Sequence, residues 1–149
     1  ADLTVGTFYT HFKSKEALLQ AALRQSLQAR NEALRQALLA GDLELAIRTY
    51  LSEEHRDAPG EGCPVAALAA EVARHPRPTR KAFASEVELG LDVLVECLSQ
   101  RRGAPVSRAD GAAFFGLLVG TLQLARATPD PAASTAILEA GIRAALVLA

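Results

Sequence analysis

The run GAAFFGLLVGTLQLA, residues 111–125, contains no charged side chain, and it restricts the folds open to this chain more than any other stretch. Wound as a helix it is apolar around its whole circumference, so a single packing partner cannot cover it. It is shorter than the roughly 17 to 25 residues of a membrane span and contains Gln123, so burial in protein, not a membrane, is expected. Gly116 and Gly120 lie four apart on one face and permit close approach of another helix. The final segment, with Ile137, Ala140, Ile142, Ala145 and Leu146, is similarly mild. The two segments together predict burial against the chain's own core and against a second copy. The candidate homodimer interface is Phe115, Gly116, Val119, Gly120, Ile137, Ile142 and Leu146. An ordinary core helix of a monomer carries the same pattern, and that alternative stays open.

Half of the 149 residues are apolar and only 5% are aromatic. Strict alternation is hard to find and Ala and Leu dominate, so the fold class is all-α. Punctuation divides the chain. Thr4 caps a short helix to about Phe12. Ser14 caps the next, with Leu19, Leu23, Leu27, Leu34 and Leu38 at helical spacing until Gly41 stops it. About 25 residues at about 1.5 Å each give a connector of about 37 Å across residues 14–40. Asp42 caps a helix carrying Leu43, Ile47, Tyr50 and Leu51, and residues 57–62 read as a loop. Pro64 starts a helix to about His75, which Pro76 and Pro78 break. A helix from about Thr79 to Arg102 shows Phe83, Val87, Leu91, Leu94 and Leu98, and Gly103 ends it. Ser107 with Asp110 opens the next, and Asp130 before Pro131 opens the last. Seven helices are expected, with no internal repeat.

The first of these carries the functional signal. Phe8 and Phe12 share one face and can seat the helix, while Gly6, Thr10 and Lys13 form an opposite face that is small, polar and basic enough to enter a major groove. Thr7 and His11 flank it on one side and Tyr9 on the other, within reach of a phosphate backbone, and the Ser14 helix start can direct amides to a phosphate beside Lys15. The ordered run GTFYTHFKSKE, residues 6–16, resembles the recognition helix and following helix start of TetR-family transcription factors. The resemblance implies a helix-turn-helix reader followed by a helical ligand-binding and dimerisation domain. It places Thr4, Val5, Thr7 and Thr10 near base edges and Tyr9, His11 and Lys15 at phosphates. Residues 1–13 are then an incomplete reader and residues 41–149 the sensing domain. Asp2 stands where the family's turn often carries Gly, a substitution that left-handed geometry tolerates. The chain opens on Ala1 and lacks Met, so the rest of the reader is expected upstream. The partner implied is an operator of palindromic double-stranded DNA bound by a homodimer.

Residues 42–105 resemble the family's sensing part only loosely. Their apolar faces can line a cavity for a small apolar ligand with Phe83, Phe114 and Phe115, edged by Tyr50, His55, Arg56 and Cys63. For each aromatic a plain core position is the commoner role. His55, Cys63 and His75 lack the short spacings of a zinc site, so no metal or other cofactor is expected. Cys63 near a helix start has the setting of a redox sensor or of a simple core thiol. No Ser-His-Asp order, phosphate-cradling loop or acidic pair emerges, so the chain does not read as an enzyme.

Net charge is −1, with the positive end N-terminal, where Lys13, Lys15, Arg24 and Arg30 outnumber Asp2 and Glu16. Two unspaced cysteines, the lack of a signal-peptide pattern and an Ala- and Arg-rich composition point to the cytoplasm of a bacterium. The leading expectation is a ligand-responsive repressor. The alternative is a helical small-molecule-binding or scaffold dimer that does not touch DNA.

Overall fold

The computed structural model describes residues 12–39 and 41–149. Among them the chain is all-α, with no strand and seven helices: α1 (Lys15–Leu39), α2 (Leu43–Tyr50), α3 (Glu53–Asp57), α4 (Pro64–Val72), α5 (Arg77–Arg102), α6 (Arg108–Ala127) and α7 (Pro131–Leu148). The starts follow local chemistry. The hydroxyl of Ser14 accepts the Ala17 amide at 3.1 Å, the carboxylate of Asp42 accepts Leu45 at 2.8 Å, Ser107 accepts Asp110 at 3.1 Å and Asp130 accepts Ala133 at 2.7 Å. Each removes one orphan donor from a first turn. Gly41 and Gly103 sit at φ +79° and +64°, the left-handed geometry that ends a helix and that side chains resist.

Three boundaries differ from the sequence expectation. The helix from Asp42 breaks at Leu51, because Ser52 accepts the His55 amide at 3.1 Å and starts α3 afresh. α4 ends at Val72 and gives way to turns in which the amides of Arg74 and His75 bond the carbonyls of Glu71 and Val72. α5 begins at Arg77, with Pro76 as its cap and Pro78 inside the first turn. A proline's missing N–H is harmless there, so Pro78 continues the helix instead of breaking it.

Two helix pairs organise the molecule: α1 lies along α5 in the same direction, Glu16 and Gln20 meeting Thr79 and Gln28 and Asn31 meeting Glu86, and α6 lies antiparallel to α7, with α5 packed on α6 joining the pairs. α4 bridges α1, α5 and α6, and α2 reaches α1 and α7. The core runs through Leu27, Ile47, Leu51, Leu98, Leu118, Leu122 and Ala145. Full burial of a leucine such as Leu122 contributes about 1.5 to 3 kcal/mol. α5 meets α1 on a stripe of Thr79, Ala82, Glu86 and Gly90, while Phe83, Val87 and Leu91 on the neighbouring stripe are half-buried against the core. The α1 stripe is likewise mixed, with Leu23, Leu27 and Asn31 buried.

The α6–α7 crossing is close enough that a Cβ at Gly141 would collide with the side chain of Thr121. Replacing a helical glycine by alanine ordinarily stabilises by about 1 kcal/mol. Here overpacking reverses the sign: Gly141→Ala is expected to destabilise by about 1 to 2 kcal/mol. Urea unfolding of the single variant and of Gly141→Ala with Thr121→Ala checks this, because trimming Thr121 should restore part of the loss.

Candidate functional site

The densest polar arrangement lies where α2, α3, the loop of residues 58–63 and the end of α6 meet. Ser52 sets the start of α3 and thereby turns His55 inward. The Cys63 amide donates to His55 Nε2 at 2.9 Å, so the ring proton resides on Nδ1, which donates to the Tyr50 carbonyl at 2.6 Å. One imidazole thus closes the loop onto the end of α2. The Tyr50 ring stands edge-on to His55, with centroids 4.8 Å apart, and 6.5 Å from Phe115, over whose ring the Arg30 guanidinium lies 4.6 Å from the centroid. The Tyr50 hydroxyl is buried beside the Cys63 thiol, a weak hydrogen-bonding group. Burial, reinforced by the neighbouring Cys63 thiol, pushes its ionisation well above the ordinary phenol range. Cys63 is itself buried at 4% exposure, whereas Cys97 is half-buried and its thiol is pushed up by desolvation.

Arginines fasten this corner to the α6–α7 pair. Arg126 donates to the carbonyls of Arg56 and His55 at 3.0 and 2.6 Å, placing a cation at the C-terminal end of α3. Arg56 pairs with Asp57 at 2.7 Å and crosses to the Ser134 hydroxyl at 3.1 Å, and Thr135 donates to Glu53 beside it. Arg56, Asp57, Arg126, Thr128, Pro131 and Ser134 border an open surface cleft of about 410 Å³. Of the seven residues expected to line a ligand cavity, Tyr50, His55, Cys63 and Phe115 are therefore brought together, and Arg56 lies outside them on this polar cleft. Phe114 is buried in the core and Phe83 is half-buried on α5.

Of the residues assigned to DNA, Thr4, Val5, Thr7, Tyr9, Thr10 and His11 lie outside the described residues, as does most of the helix expected over residues 4–12. Lys15 opens α1 and is exposed. Glu16, the last residue of the N-terminal motif, is instead held. Its carboxylate accepts Thr79 Oγ1 at 2.7 Å and His75 Nδ1 at 3.0 Å, and Gln20 donates to Thr79 at 3.0 Å. The Thr79 bond, then the His75 bond, lower the Glu16 pKa below its ordinary value. Nothing in the spacing of Glu16, His75 and Thr79 along the chain announces this contact, because it depends on how α1 docks on the α4–α5 corner.

The chain matches no protein-family model and no curated protein.

The outer faces of α6 and α7 complete the geometry. Phe115 points into the core at 6% exposure, and Val119, Ile137, Ile142 and Leu146 are partly buried against the subunit's own core. Gly116 is exposed and Gly120 partly so; a Cβ at either would meet nothing within 4 Å. Large apolar side chains are also exposed on these helices, Leu124 at 63% on α6 and Val147 at 86% on α7. The charged residues Glu139 and Arg143 are exposed on α7 and pair at 3.8 Å. By length and composition α7 is apolar enough to cross a membrane, yet Ser134, Leu138, Gly141 and Ala145 commit one side of it to the core.

Desolvation, the main influence on His55, lowers its pKa from the ordinary 6.5. The folded state therefore favours the neutral ring. This stabilisation is complete above the unfolded value and is lost as pH falls from there through the folded value. Thermal unfolding at about pH 7.5 and about pH 5.5 should show a larger drop for the wild type than for His55→Gln, which cannot charge. The variant should be less stable at the higher pH by about 1 to 3 kcal/mol, the cost of unpaired buried backbone groups.

Proposed function

We propose that this chain is the sensing and dimerising part of a TetR-type transcriptional regulator, a ligand-responsive repressor that binds a palindromic operator as a homodimer. The observation that carries the reading is the order of GTFYTHFKSKE directly ahead of a capped helix of 25 residues. The motif supplies a face for the major groove and a basic turn for phosphates, and α1 supplies a rigid arm of about 37 Å between reader and sensor.

The outer faces of α6 and α7 support the dimer. A glycine inside a helix costs up to about 1 kcal/mol, and Gly116 and Gly120 gain no close intramolecular contact in exchange. Close approach of the same two helices from a second copy would use them and cover Leu124 and Val147. The Tyr50 hydroxyl supports ligand sensing, because a buried hydroxyl whose neighbour is only the weak thiol of Cys63 gains a stronger partner when a small, largely apolar molecule with one polar atom enters beside it. Such a molecule acts on DNA only if it binds one dimer geometry more tightly than the other, so that population shifts away from the spacing that fits the operator.

Gel shifts with the gene's full-length product and its own upstream region test the reading. A shift confined to palindromic fragments is expected, and Lys15→Ala should weaken it across sequences while reducing the logarithmic salt slope by about 1. No shift with any fragment of that region would sink the proposal. In light scattering the wild type should be a dimer, and Leu124→Glu with Val147→Glu should yield monomers that lose the shift; a wild-type monomer at micromolar concentration would remove the dimer.

A further inference from the structure

The seam between α1 and α5 opens at the surface into a cleft of about 210 Å³ lined by Gln28, Asn31, Glu32, Arg35, Glu86 and Leu89. At its base Glu86 is only 7% exposed. Its Oε1 accepts Gln28 Nε2 at 3.0 Å, and its backbone carbonyl accepts Asn31 Nδ2 at 2.8 Å. Its Oε2 is buried with no hydrogen-bond partner among the described residues. A carboxylate offers about four acceptor sites, and leaving a buried one empty is costly.

The chain's own cation at the cleft is directed elsewhere. Arg35 is 57% exposed and lies 3.9 Å from Glu32. The amides of Gln28 and Asn31 present N–H groups to Glu86, so they add donors where a metal ion would need oxygens. Among the described residues no three His, Cys, Asp or Glu side chains converge as a metal site.

We propose that this cleft binds a small organic cation bearing N–H donors, a primary ammonium or a guanidinium, toward which the Glu86 carboxylate turns so that one N–H reaches Oε2. The positive charge offsets the buried carboxylate, and the N–H fills its empty acceptor in a charge-assisted hydrogen bond. Leu89, 56% exposed at the rim, supplies an apolar surface for a short alkyl tail. The cleft is separate from the Tyr50 and His55 corner, and the inference stands whether or not the chain binds DNA.

Titration with propylammonium and with methylguanidinium, followed by NMR of the Gln28 and Asn31 side-chain amides, tests it. Both should move those resonances saturably, whereas tetramethylammonium, equal in charge but without N–H, should not. Glu86→Gln keeps the shape and should weaken binding about tenfold or more. Leu89→Arg, at an exposed position, should abolish the response by placing a tethered cation in the cleft, and it carries the test if Glu86→Gln does not fold. Absence of a saturable shift, an equal response to tetramethylammonium, or full affinity in Leu89→Arg or in folded Glu86→Gln would overturn the proposal.

Discussion

The structure depends on the way α6 divides its circumference. Phe114, Phe115, Leu118, Leu122 and Ala125 are buried, and α3, α4, α5 and α7 all pack on this helix. A charged side chain on those faces would have to be desolvated or would hold a neighbouring helix away. Its polar exceptions are accommodated at the margin, as when Gln123 donates to the Ala66 carbonyl at 2.5 Å and so ties α6 to α4. The rest of the fold is arranged around this axis: α7 covers one side of it, α5 another, and α1, packed chiefly on α5, reaches it with Arg30 over the Phe115 ring.

Polar side chains then fix what apolar packing leaves loose. Hydrophobic contact is non-directional and would tolerate many positions of the short α3 and the loop after it. The two nitrogens of His55, the carbonyl bonds of Arg126 and the Arg56 bridge to Ser134 are directional, and together they select one. Such a corner is ordered at the expense of adaptability, since each group satisfied there would be orphaned by a shift of about 1 Å.

Helix starts and stops were legible because their causes lie within three or four residues. Ser14, Asp42, Ser107 and Asp130 each bond an amide three residues on, and Gly41 and Gly103 terminate by backbone geometry alone. Ser52 escaped notice because the apolar spacing through Tyr50 and Leu51 masked a second cap so soon after Asp42. Of the site, the pairing of Tyr50 with Phe115 was partly legible as aromatic content, but the bonds of His55 to residues 50 and 63 were not. They exist because a loop closes, and loop closure leaves no periodic trace. Asn31 and Glu86 could have been found: Asn31 lies on the stripe of Leu27 and Leu34, and a polar residue on an apolar stripe is the signal of a buried hydrogen bond.

The character of the α1–α5 seam has a mechanical consequence. Apart from Leu23 and Leu27, α1 is held largely by side-chain hydrogen bonds, from Glu16 and Gln20 at one end to Gln28 and Asn31 further along. Interlocked apolar side chains resist displacement until a whole row jumps, because partial separation opens voids that water does not fill. Hydrogen bonds buried at Thr79, Asn31 and Glu86 hold one register for a different reason, because a small displacement leaves each of those groups without its partner and away from water. α1 is therefore keyed to α5 at a few fixed notches, its register set by buried polar contacts, while α6 and α7 form a dry block held by shape.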